Sequence, residues 1–256
     1  MICKMTTAND ITETMLAMGD ERQRDVLMRF FKTGKGQYGE GDRFIGLRVP
    51  QTRAVVKEAD GDISLSEIKR LIYSPWHEIR LCGFLLIVDM MKKALPTRHR
   101  GDSAGKAEER ERLAQFYLKH ARQANNWDLV DLSCEYVIGY WLLHPAPDGT
   151  MPSRKILDRL AHSDNLWEQR IAIVSTLTLI RERQFDDTLR IASLLLDHPH
   201  DLIHKAVGWA LREVGKRDIE TLRYYLSENS NRMARTTLRY AIERMDENER
   251  REWMKK

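Results

Sequence analysis

Residues 168–180 read EQRIAIVSTLTLI, a polar entry, one basic residue and then an apolar run in which positions three and four apart fall on one stripe. Moving outward from that segment, the same pattern recurs in HEIRLCGFLLIVDMM from His77, LVDLSCEYVIGYWLL from Leu129, IHKAVGWALREV from Ile203 and MARTTLRYAIERM from Met233. In this register the charged positions are Arg80, Asp131, Arg170, Lys205 and Arg235, spaced 51, 39, 35 and 30 residues apart. The later steps match paired-helix repeats, in which each pair cannot bury its apolar face alone and so stacks on its neighbours. The expected fold is therefore all-α, a single α-solenoid spanning 1–256, with the second helix of each pair on a concave side. The long first step comes from Ala94–Glu111, a Ser/Gly/Lys/Arg/Glu-rich stretch expected as an exposed loop leading into a helix near Leu113–Ala124.

Turn residues break the helical pattern at Gly34–Asp42, Ser74-Pro75, Pro96–Gly105, His144–Pro152, Ser163-Asp164, His198–Asp201 and Asn229–Asn231, and no stretch alternates as a strand does. The longest apolar stretch, Leu81–Val88, is far short of the roughly 20 residues a membrane helix needs. Met1–Asp20 lacks the apolar block of a secretory signal, so a cytoplasmic, monomeric protein is expected. Cys3, Cys82 and Cys134 are too far apart for a zinc site or disulfide framework and are read as reduced thiols. Gly34–Gly39 spells G-x-G-x-x-G, but it follows a helix and does not read as a dinucleotide loop. The histidines, His77 included, lack ligand spacing, so neither metal nor cofactor is expected.

The formal charge of +4, from 42 basic against 38 acidic residues, is too mild to define a partner by itself. Position says more. A row of Arg80, Arg170, Lys205 and Arg235, extended by Arg212 and Arg239, suits a phosphate backbone. Such a row is also compatible with solvated or internally paired charges. Asp131 interrupts it, and a carboxylate there repels phosphates unless it has a task, such as stabilising an oxocarbenium-like sugar and orienting water. A first-turn acid favoured by the helix dipole is the plainer alternative. Trp127 stands four residues before Asp131 and Trp209 four after Lys205, each one turn from a register charge. Trp76, Trp141 and Trp167 are read as packing residues.

Four segments carry a family resemblance: Phe44–Pro50 with Arg53, Asn126–Asp131 (NWDLVD), Ser163–Arg170 (SDNLWEQR) and Lys205–Glu213 (KAVGWALRE). The chain resembles the AlkD-like DNA alkylation repair proteins, built of HEAT-like repeats with a concave DNA-binding face. The resemblance implies a DNA glycosylase that hydrolyses the N-glycosidic bond of cationic N3- or N7-alkylated purines in duplex DNA, working from the sugar side without base flipping. It puts the catalytic carboxylate on Asp131, the sugar-contacting tryptophans on Trp127 and Trp209, and a DNA contact on Arg170. Arg80, Lys205, Arg212 and Arg235 are the further expected DNA contacts, read from the row itself. A third aromatic falls on Phe30, Phe31 or Tyr38. The alternative is a HEAT-repeat module that binds damaged or structured DNA without cutting it.

Overall fold

The computed structural model describes residues 5–59, 63–97 and 101–255. Every named element among them is helical; bridges such as Arg43 to Trp76 are isolated. The all-helical expectation holds because apolar residues recur with helical spacing and the ends are capped. Thr7, Asp20, Ser64 and Asn165 each accept a backbone N–H of the turn that follows, satisfying donors that a helix leaves orphaned.

Contacts divide the chain into two compact units, Met1–Ser133 and Cys134–Lys256. The first holds α1 (Ala8–Ala17), α2 (Glu21–Phe30), α3 (Val49–Ala59), α4 (Leu65–Ile72), α5 (His77–Lys93), α6 (Ala104–Lys119) and the short α7 (Trp127–Asp131). Its centre is α5, which is buried on nearly every side from His77 to Val88 and packs against α3, α4 and α6. A helix that is apolar all round must be sheathed by its neighbours. Gly83 lets α4 come close, because a Cβ there would sit 2.6 Å from the Ile72 side chain.

The second unit holds α8 (Tyr140–Leu143), α9 (Lys155–Ala161), α10 (Leu166–Val174), α11 (Thr176–Arg181), α12 (Asp186–Leu194), α13 (Asp201–Gly215), α14 (Ile219–Asn229), α15 (Arg235–Ala241) and α16 (Glu247–Lys255). Its tightest pair is α13 with α15, where a Cβ on Gly208 would lie 2.6 Å from the Thr237 carbonyl oxygen. Trp141 and Trp167 are buried as packing residues, and Cys82 and Cys134 are buried thiols. Cys3 lies outside the described residues. Burial pushes the Cys82 thiol up to about 12, so it is inert. No helix among the described residues is long and apolar enough to cross a membrane.

Two expectations are corrected. The end of the Ala94–Glu111 stretch is helix, since α6 begins at Ala104 under a Ser103 cap. It is not merely a solvated connector either: Arg110 is fully buried, donating to the Ala94 carbonyl at 2.9 Å and forming an ion pair with Asp102 at 2.6 Å. The segment from Leu129 is also not one even helix. Ser133 Oγ donates to the Leu129 carbonyl at 2.5 Å, drawing off an acceptor near the end of α7, and the helix resumes as a π turn over Glu135–Gly139.

Between α2 and α3 the chain makes a series of turns up to Gly41 and then a non-helical run to Arg48, and the buried Glu78 carboxylate anchors that run by accepting the backbone N–H groups of Ile45, Gly46 and Leu47 at 2.9, 2.8 and 3.1 Å. Gly46 has φ +101°, and a Cβ would fall 2.0 Å from the Asp20 carbonyl oxygen. Gly46→Ala is expected to cost about 1–3 kcal/mol for the strained backbone alone, read as a lowered urea midpoint. An unchanged midpoint would mean that the loop does not need this conformation.

Candidate active site

Helix α7 carries both Asp131 and Trp127, four residues apart and thus on one face. Asn126 caps it, its Oδ1 accepting the Trp127 N–H at 2.8 Å. Both Trp127 and Asp131 are half-buried. Asp131 closes the helix rather than opening it, so the dipole that would favour a first-turn acid does not account for it.

Beneath Trp127 the rings stack in pairs within a compact cluster, the His77 imidazole lying 4.9 Å from Phe31 as well. Phe31 lies parallel to the indole at 5.2 Å and 23°, Phe44 to Phe31 at 5.2 Å and 20°, and the His77 imidazole to Phe44 at 4.3 Å and 19°. Phe30 meets Trp127 edge-on at 5.9 Å and is 61% exposed, whereas Phe31 is 6% exposed. Phe30 and Phe31 both reach Trp127, with Phe31 as the buried support and Phe30 on the surface.

His77, at the first position of α5, is held at both nitrogens: Nδ1 lies 2.8 Å from Asp42 Oδ2 and Nε2 lies 2.8 Å from Asp128 Oδ2. Asp42 also accepts from the Arg80 guanidinium at 2.5 Å, and Arg80 donates to the Ser74 carbonyl at 3.0 Å. All four side chains are buried. Burial alone would lower the imidazole pKa, but the charge and hydrogen bond of Asp128, followed by those of Asp42, override it and raise it to about 9. Burial likewise works against ionisation of Asp42, yet the His77 hydrogen bond, the His77 charge and Arg80 hold its carboxyl below the usual range. His77 is therefore a cation at neutral pH, donating to both carboxylates. Because Asp128 belongs to α7, this network and the ring stack fix the helix that presents Trp127 and Asp131.

Arg80 is thus a correction. It was expected on phosphate, but it is 5% exposed and bound to Asp42. Arg170 is also 5% exposed and donates to the Leu202 carbonyl at 2.5 Å. The remaining expected contacts lie nearer the surface. Lys205 is half-buried and ion-paired with Asp201 at 2.7 Å, Arg212 is half-buried against Glu243, and Arg235 and Arg239 are exposed on α15. Trp209, on α13, is half-buried and borders a cavity of about 180 Å³ shared with Leu177, Arg181, Glu213 and Arg217.

Sequence reading missed Asp42, His77 and Asp128 as a unit. His77 was set aside for lacking metal spacing, and Asp42 lay in a stretch read as loop. Only Asp128 stood beside a quoted motif residue.

The sequence profile of the family described as DNA alkylation repair enzyme matches residues 11–245, and the chain belongs to that family. Among solved structures, it resembles one described as a predicted DNA alkylation repair enzyme from Enterococcus faecalis, with a TM-score of 0.64 over 90% of this chain and 97% of that one. At 16% identity that likeness shows the shared fold. No curated protein matches the chain.

Proposed function

We propose that this chain is a DNA glycosylase that hydrolyses the N-glycosidic bond of N3- or N7-alkylated purines in duplex DNA, as a cofactor-free, monomeric cytoplasmic enzyme of HEAT-like repeats. The observation that carries this reading is a half-exposed carboxylate, Asp131, on the same face of a short helix as a half-exposed indole, Trp127, with the helix held from below by a buried charge network.

The chemistry suits a cationic base. An alkylated purine already bears positive charge and leaves without a proton, so the protein needs only to stabilise the positive charge that develops on deoxyribose and to orient water. Asp131 supplies the negative charge and accepts a proton from the water. Trp127 and the exposed Phe30 offer aromatic faces to the sugar or to the cationic base, an attraction of about 0.5–2 kcal/mol. Trp209 keeps the sugar-contacting role that the family resemblance gives it, and Lys205, Arg212 and Arg235 remain assigned to phosphates. A surface site of this kind fits attack on the sugar with the base left stacked.

Duplex treated with a methylating agent, incubated with the protein and then cut at neutral pH by an endonuclease specific for abasic sites, is expected to break in proportion to enzyme and time. A duplex that is bound yet never acquires such breaks would favour the non-catalytic DNA-binding module instead.

A further inference from the structure

The burial of Arg80 leaves the first unit without the phosphate contact expected of it, and another cluster of cations on that unit can take its place. Helices α3 and α5 border a cleft of about 220 Å³ with an apolar floor of Val56, Leu85 and Val88. Its rim carries Arg53 and Lys57 from α3 and Lys92 and Lys93 from the last turn of α5. The lining contains one carboxylate, Asp89, which is paired with Lys93 at 2.9 Å. Arg53, Lys57 and Lys92 are exposed along the cleft.

Arg53 and Lys57 stand one turn apart on a single helix face, where like charges repel and destabilise the helix. Lys57, Lys92 and Lys93 suit the carbonyl ends of α3 and α5, in whose last turns they stand, but Arg53, in the middle of α3, has no such reason to stand beside Lys57 along the cleft. An anion between them would offset the repulsion. Phosphates along a nucleic-acid strand provide such an anion, and the attached sugars provide an apolar body to rest on the Val56, Leu85 and Val88 floor.

We infer that the α3–α5 cleft is a binding site for the DNA phosphate backbone, with Arg53 and Lys57 as its principal contacts; this rests on the proposed reading of the chain as an enzyme of duplex DNA. Each neutralised phosphate releases counterions, so removing two contacts lowers the slope of log K against log salt by about two.

The test is anisotropy titration of a labelled duplex across a salt series with the wild-type chain, the Arg53→Gln/Lys57→Gln variant and a control variant, Arg250→Gln/Arg251→Gln, on the exposed face of α16. The expected result is a slope reduced by about two in the first variant and left unchanged in the control. An unchanged slope in the first variant overturns the site, as does an equal reduction in both, which would mean diffuse charge rather than a cleft. If the wild-type chain still generates abasic sites in those cases, only the cleft is lost. A wild-type chain that does not bind duplex removes the functional reading as well.

Discussion

Asp131→Asn is expected to bind methylated duplex at least as tightly as the wild-type chain while releasing base at least about a hundredfold more slowly, the scale on which loss of one preorganised electrostatic group slows an enzyme. The two halves of this prediction have separate causes. A carboxylate near DNA repels phosphates within a Debye length of about 8 Å, so neutralising it removes a penalty on binding. The same charge opposes the cationic sugar that forms as the bond breaks, and the amide has neither the charge nor the basicity to replace it. Retained binding with full release would move the chemistry away from residue 131. Losing both would point to a structural role, which a urea melt of the variant would reveal.

Asp128→Ala carries the second large expectation, a loss of about 3–5 kcal/mol in stability, because deleting one partner of a buried ion pair leaves the other charge uncompensated. Here the stranded group is His77, which would keep only Asp42. The pH dependence follows from the direction of the shift. With its folded pKa raised from 6.5 to about 9, protonated His77 contributes stability that is fully present below pH 6.5 and lost as pH rises through about 9. Asp42, held low, works at the other end, stabilising the fold above its ordinary value of 3.8 and ceasing to do so as pH falls through its lower folded pKa. Urea midpoints of the wild-type chain should therefore fall on the alkaline side between pH 6.5 and 9, and Asp128→Ala should flatten that limb. Asp128→Asn, which keeps an acceptor for Nε2–H, should recover part of the loss. An alkaline limb identical in wild type and variant would show that His77 is not the titrating group.

The helices were legible because their cause is local. Apolar spacing and capping residues are written in single segments, and the turn residues at Gly34–Asp42, Ser74-Pro75 and Ser163-Asp164 fall between helices, as their chemistry requires. Trp127 and Asp131 were legible for the same reason, since four residues along one helix fix their common face. The buried network was not, because its members come from a loop, the first turn of α5 and α7, 35 and 51 residues apart along the chain, and nothing local marks their convergence. Arg80 illustrates the same limit. Its register matched the other cations of the repeat, but whether a first-turn arginine faces solvent or a buried aspartate depends on Asp42, 38 residues upstream. Lys205, paired with Asp201 on its own helix, and Arg235 lie nearer the surface.

The most direct measurement is mass spectrometry of the small-molecule fraction after the purified chain meets duplex carrying 7-methylguanine. The account predicts free 7-methylguanine accumulating with time, in amounts equal to the abasic sites left in the strand. Intact lesion in DNA that the protein demonstrably binds, with no base set free, would contradict it.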